Sequence, residues 1–82
     1  MNKIKIFTKR DCPLCPAAKE LGRKLQEKGM KVEYFDVDAD TGLAEASFYT
    51  VLSTPSILLT NQNGDEINSW RGEVPGIDKV TS

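Results

Sequence analysis

Residues 3–25 read KIKIFTKRDCPLCPAAKELGRKL, and the change of period inside that stretch decides the fold. Lys3 to Thr8 alternates and carries β-branched and aromatic side chains, the pattern of a strand. From Pro13 onward, Leu14, Ala18, Leu21 and Leu25 recur at helical spacing, with Lys and Arg on the other side. Between strand and helix stand the chain's only two cysteines, Cys12 and Cys15.

Further along, Gly29 offers the left-handed cap that ends the helix, with Met30 placed to pack back on the last turn. Val32-Glu33-Tyr34-Phe35-Asp36-Val37 reads as a second strand by composition and alternation. Asp40-Thr41 caps a helix running to about Thr50 through Leu43, Ala46 and Tyr49, and Phe48 to Leu52 is ambiguous. After Pro55, Ile57-Leu58-Leu59 is a short apolar run typical of a strand covered on both sides. Asn61 to Glu66, with Asn63-Gly64 inside it, is the strongest turn signal in the chain, and Ile67 to Arg71 is the returning strand. Pro75 starts a last helix, with Ile77 and Val80 facing inward. The order β-α-β-α-β-β-α predicts an α/β fold: a mixed four-stranded sheet flanked by helices, in one domain over residues 1–82.

Composition narrows the function. The chain has 82 residues, 39% hydrophobic and 28% charged, an ordinary globular balance. A chain of this size hides about 60 to 65% of its extended surface, which weighs against a large multi-substrate cleft. It contains no histidine, which removes Cys–His and Ser–His hydrolases, imidazole metal sites and a histidine pH switch. The formal charge of −1 gives no ground for nucleic-acid binding. No stretch approaches the roughly 20 apolar residues of a membrane span, and the start lacks a signal-peptide run, so a cytoplasmic, reducing address is expected.

The charges are uneven. Residues 1–31 hold nine Lys/Arg and three Asp/Glu, net +6, whereas 32–82 hold two and nine, net −7. Solvated basic and acidic faces account for this. A sharper reading is a positive field around the first cysteine, favouring a thiolate and anionic partners.

The cysteine pair admits three readings. As a staple it is weak, because so small a loop gains only about 2 kcal/mol in the chain-entropy account. As a metal site it is half complete: a binding adaptor would need two chains, each giving its cysteine pair, to hold zinc or an iron–sulfur cluster between them. Dithiol–disulfide chemistry fits both spacing and position, since unpaired amides and the helix dipole at a helix start favour the anion. Cys12 is then the exposed attacker and Cys15, one turn on and nearer the core, the resolving thiol. Lys9 and Arg10 support the thiolate, and Asp11 opposes it. Pro16 has no amide hydrogen to give a helix that starts at Cys12, so the helix starts either there or at Pro16 with Cys15 as its cap.

These motifs resemble the thioredoxin superfamily, and most of all its small glutaredoxin branch, over roughly Lys3 to Val80. The resemblance rests on Thr8-Lys9-Arg10-Asp11-Cys12-Pro13-Leu14-Cys15, on Ser53-Thr54-Pro55 before a strand, and on Asn63-Gly64 and Trp70-Arg71-Gly72 after it. It implies a thioredoxin fold in which Pro55 is cis beside the cysteines and the backbone of Thr54 is free to pair with an extended substrate segment. It also implies that Lys9, three residues before Cys12, meets a glutathione carboxylate. The substrate-binding residues it indicates are Lys9, Arg10, Pro13, Leu14, Thr54, Pro55, Arg71 and Gly72. Two departures stand out: the usual Cys-Pro-Tyr-Cys is Cys-Pro-Leu-Cys here, and the family's Gly-Gly after the last strand is Arg71-Gly72.

Trp70-Arg71-Gly72-Glu73-Val74-Pro75 is also similar to the Trp-x-Gly-x-x-Pro of redoxins that serve ribonucleotide reductase and draw electrons from thioredoxin reductase. Trp70, on a strand, reads first as core, and Arg71 as an edge charge able to meet a carboxylate. The resemblance implies a small oxidoreductase acting on protein or glutathione-mixed disulfides. Its electron donor is glutathione or the flavoenzyme thioredoxin reductase, and it holds no bound cofactor and no metal. Its partner is a disulfide-containing protein, ribonucleotide reductase being one candidate. It is expected to act as a monomer without nucleic-acid or membrane partners.

Overall fold

In the computed structural model, which describes residues 2–81, the element order is the one read from the sequence. Strands β1 (Lys3–Thr8), β2 (Lys31–Asp36), β3 (Ser56–Thr60) and β4 (Glu66–Arg71) form one sheet in the order β2-β1-β3-β4. β1 and β2 are parallel, and the other two pairings are antiparallel. The helices are α1 (Cys15–Glu27), α2 (Asp40–Phe48) and α3 (Ile77–Thr81). None is long and apolar enough to cross a membrane. Met1 and Ser82, the ends of the expected 1–82 domain, lie outside the described residues.

β1 is central because its alternation serves two cores. Ile4 and Ile6 face α1 and α3, packing with Ala18, Leu21, Leu25, Ile57 and Val80. Phe7 faces α2, packing with Ala46, Val51 and Leu58 and stacking on Phe35 with ring centroids 5.2 Å apart. Lys5 shares the face of Phe7 and is buried. Its ammonium donates to Glu33 Oε1 at 3.0 Å and Glu45 Oε2 at 2.6 Å, and lies 5.0 Å from the Phe35 ring centroid.

Burial works against that ammonium, but the two hydrogen-bonded carboxylates outweigh it and raise its pKa. The Lys5 hydrogen bond in turn holds Glu33 below the usual carboxylate range. The Glu33 share of stability is therefore full above the unfolded glutamate value of about 4.3 and is lost as pH falls through the lower folded value. Thermal melts at about pH 6 and about pH 3 should show wild type losing more on acidification than Lys5→Met. Equal losses would show that this pairing carries no acid sensitivity.

Several element ends differ from the sequence reading. β3 extends one residue further at each end than Ile57–Leu59, β4 starts at Glu66 rather than Ile67, and α3 starts at Ile77 rather than Pro75. β2 starts at Lys31, where it pairs with Lys3, and ends at Asp36, although the Val37 amide still donates to the Thr8 carbonyl at 2.9 Å. Helix α2 stops at Phe48, which places Phe48 to Leu52 largely outside it. Leu43, expected on its apolar face, is 55% exposed.

Both helix ends close by the same double hydrogen bond. After α1, Gly29 donates to Gln26 and Met30 to Leu25, with Gly29 at φ 87°. After α2, Thr50 donates to Ser47 and Val51 to Ala46, but the left-handed position is held by Thr50 at φ 55°. A β-branched residue there is strained by about 1–2 kcal/mol. That hid the helix end from a reading that looks for glycine.

Candidate active site

The cysteine pair sits where β1 hands over to α1. Thr8 ends the strand, Lys9 and Arg10 are exposed, and Asp11 turns the chain through the left-handed region at φ 57°. Asp tolerates that conformation better than most residues because its short carboxylate can bond locally. Asp38 Oδ2 accepts from the Arg10 amide at 3.0 Å, and Asp36 Oδ1 accepts from the Asp38 amide at 2.9 Å, so the loop after β2 clasps the loop that carries Cys12.

Helix α1 begins at Cys15 itself. Leu14 is its cap, without a side-chain hydrogen bond, and Pro16 falls in the first turn, where a missing amide hydrogen leaves nothing unsatisfied. Neither of the two starts weighed from the sequence is the observed one. Cys12 precedes the helix, and its carbonyl accepts from the Cys15 amide at 3.3 Å. The two sulfurs are bonded to each other, with Cα atoms 5.3 Å apart. Cys15 is 3% exposed, whereas Cys12 is half-buried and between two exposed neighbours, Asp11 and Pro13. Leu14 is 50% exposed. The pair is therefore asymmetric: Cys12 is partly exposed and Cys15 is buried.

Across from it lies the loop before β3. The Thr54–Pro55 peptide is cis, as the resemblance implied, and Pro55 is buried. Ser56 Oγ donates to the Ser53 carbonyl at 2.7 Å, which ties the loop to the strand it opens. Lys9 and Thr54 border one cleft of about 260 Å³ whose apolar walls include Val37, Leu43, Val51 and Leu52. The Thr54 hydroxyl is buried and has no hydrogen-bond partner among the described residues. Lys9 has no ion-pair partner among them either.

Arg71 and Gly72 are placed differently. The Arg71 guanidinium donates to Glu66 at 2.9 and 3.0 Å, to the Tyr49 carbonyl at 2.9 Å, and to Ser69. The Glu66 hydrogen bond holds Arg71 above its ordinary pKa and is the main cause that holds Glu66 below its own. Arg71 thus fastens the end of α2 to β4 rather than standing free for a ligand. The Gly72 amide donates to the Pro55 carbonyl at 2.8 Å, so it supports the cis-proline loop.

A family model described as Glutaredoxin matches residues 4–55, from β1 through the cis-proline. The chain belongs to the glutaredoxin family. A probable thioredoxin from Archaeoglobus fulgidus is 30% identical over 63 residues, covering 76% of this chain and 69% of that protein. Among solved structures, a malarial protein superposes with a TM-score of 0.80 at 19% identity, covering 99% of this chain and 90% of that one. A mutant thioredoxin from Halobacterium salinarum gives 0.81 at 22% identity, covering 96% and 67%. Together they show the thioredoxin fold and a glutaredoxin/thioredoxin-like redox protein with Cys12 and Cys15 at disulfide distance.

In this candidate site, the sequence reading brings Lys9, Cys12, Cys15, Thr54 and Pro55 forward but passes over Leu43 and Leu52 as cleft residues. Leu43 was assigned to a buried helix face. Leu52 fell in the ambiguous stretch, although a leucine just before Ser53-Thr54-Pro55 was a signal of an apolar loop beside the cysteines. The Asp36–Asp38 clasp left no sequence signal, because each hydrogen bond depends on where the loop after β2 lands.

Proposed function

We propose that this chain is a thiol–disulfide oxidoreductase that reduces protein disulfides, and glutathione-mixed disulfides of proteins, through Cys12 and Cys15. The observation that carries the reading is the asymmetry of the pair, with Cys12 reachable and Cys15 buried one helical turn behind it. The Cys12 thiolate attacks one sulfur of the substrate disulfide. That bond breaks, a mixed disulfide forms, and the other substrate sulfur leaves as a thiolate and takes a proton from water. Cys15, deprotonated, then attacks the Cys12 sulfur, which closes the Cys12–Cys15 bond and releases the second substrate thiol. Two electrons pass from the dithiol to the substrate, and an external donor returns them.

Lys9, free of an ion-pair partner among the described residues, and Arg10 hold positive charge beside Cys12, which favours its thiolate. Thr54 and Pro55 form the ledge along which a substrate segment lies, with Pro13 and Leu14 on the other side. The donor we favour is a thioredoxin-reductase-type flavoenzyme. In support, Arg71 is tied to Glu66 and Tyr49 and the Gly72 amide to Pro55, leaving neither for a γ-glutamyl group. The protein acts as a monomer in a reducing cytoplasm and needs no metal or bound cofactor.

A coupled assay tests the reading. Oxidised protein is given NADPH with either thioredoxin reductase, or glutathione and its reductase, and NADPH consumption is followed. Faster consumption with thioredoxin reductase is the expected result. Turnover with glutathione alone would reverse the donor, and consumption with neither would remove the reading.

A further inference from the structure

The cleft between Lys9, on the loop that leads to Cys12, and Thr54, before the cis-proline, is lined in a way that sulfur exchange alone does not require. Leu52 is 90% exposed and Leu43 is 55% exposed, and both border the same cleft as Thr54. Single exposed leucines are ordinary on a protein surface. Here two of them share one concavity with Val37 and Val51, and Ser53 and Thr54 of the loop before the cis-proline line it too. The cation in that cleft is Lys9, and it has no ion-pair partner among the described residues. Few convergent polar groups on an apolar lining are the marks of a recognition pocket.

The chemistry selects the occupant. Glutathione carries two carboxylates and no apolar side chain. Leu43 and Leu52 can offer its second carboxylate no hydrogen bond, and it has nothing with which to cover them. An extended protein segment with a large apolar side chain beside its disulfide cysteine covers the leucines, and an acidic neighbour meets Lys9. Lys9 and Arg10 are both exposed on the loop before Cys12, and their charge favours the same acidic partner.

Resting on the exchange reading above, we propose that Leu43 and Leu52 are substrate-selecting residues. They receive a large apolar side chain next to the target cysteine of an acidic protein segment, while Lys9 meets one of its carboxylates. Discrimination of this kind operates through KM more than through the chemical step, because the cleft is lined by Lys9 and Thr54 and not by either cysteine.

The test uses the whole chain with dithiothreitol as electron donor and three peptides, each closed by one disulfide. The first carries Leu-Asp after its second cysteine, the second Gly-Asp, and the third Leu-Lys. Wild type is expected to favour the first over the second by about tenfold in kcat/KM, the size of effect a filled apolar pocket provides. Leu52→Ser should bring that ratio close to one with no change in melting temperature, since the side chain is already in water. Leu43→Ser should reduce it in part. The third peptide should be several-fold poorer than the first, and added salt should narrow that gap. Equal use of the first two peptides by wild type, or a ratio that Leu52→Ser leaves intact, overturns the selection while leaving dithiol exchange standing. Equal use of the first and third peptides overturns the acidic partner. Reduction of none of the three removes the exchange reading and this one with it.

Discussion

Replacing Cys12 with serine is expected to lower disulfide turnover to the background rate of the donor alone, whereas Cys15→Ser leaves a covalent adduct. The difference follows from burial. A nucleophile must approach a substrate sulfur along the axis of the bond it breaks, and Cys15, 3% exposed behind the loop, has no room to do so. Serine at position 12 supplies a hydroxyl that stays protonated at neutral pH and does not attack sulfur. In the Cys15→Ser chain the first exchange still proceeds, but nothing behind Cys12 displaces the product. A mixed disulfide at Cys12 then accumulates, visible in an intact mass spectrum and reversed by added thiol. One-thiol turnover with glutathione remains available to that variant. Full activity in Cys12→Ser, or an adduct at position 15 in that variant, would end the assignment of roles.

The largest expected loss of stability comes from a residue far less conspicuous than the cysteines. Gly42 lies inside α2 where the helix crosses the end of β2, and a Cβ there would overlap the Asp36 carbonyl. The obstacle is backbone, which cannot rotate away as a side chain can. Gly42→Ala must lift α2 off the sheet, separating Ala46 and Val51 from Phe7 and Leu58. An overpacked contact of this kind costs about 1–3 kcal/mol, against the roughly 0.5–1 kcal/mol that alanine gains over glycine in an open helix. The upper part of that range is expected, because the overlap is with main chain and the helix has only nine residues over which to absorb a shift. For a chain of this size each kcal/mol shifts the melting temperature by about 4–8 °C, so a fall of about 10–20 °C should appear in a thermal scan. An unchanged or raised melting temperature would show that α2 does not approach β2 this closely.

Gly42 also shows what a reading of residues passes over. A glycine inside a helical pattern costs about 1 kcal/mol relative to alanine, which is a hint of close approach without naming what approaches. Gly29 was legible because it stands where a helix pattern stops and an apolar residue follows. Thr50, doing the same work after α2, was not, since side-chain type argues against the left-handed region and only the surrounding contacts impose it.

Local pattern by itself determined the order of elements, the pairing of period 2 with period 3.6 around Cys12 and Cys15, and the turn at Asn63-Gly64. These are properties of neighbours in the chain, set by backbone sterics and by which faces must be apolar. Motif resemblance added Thr54 and Pro55, and gave Lys9, already read as a charge beside the thiolate, a carboxylate to meet; Lys9 and Thr54 border one cleft, and Pro55 is cis. Tertiary structure alone decided that α1 begins at Cys15 and that Arg71 is tied to Tyr49 and Glu66. It also decided that the Gly72 amide holds the cis-proline loop and that Leu43 and Leu52 share a cleft with Lys9. Each of those depends on groups far apart in sequence meeting across the sheet. A side chain's partners are chosen by packing distance, which residue type and spacing do not encode.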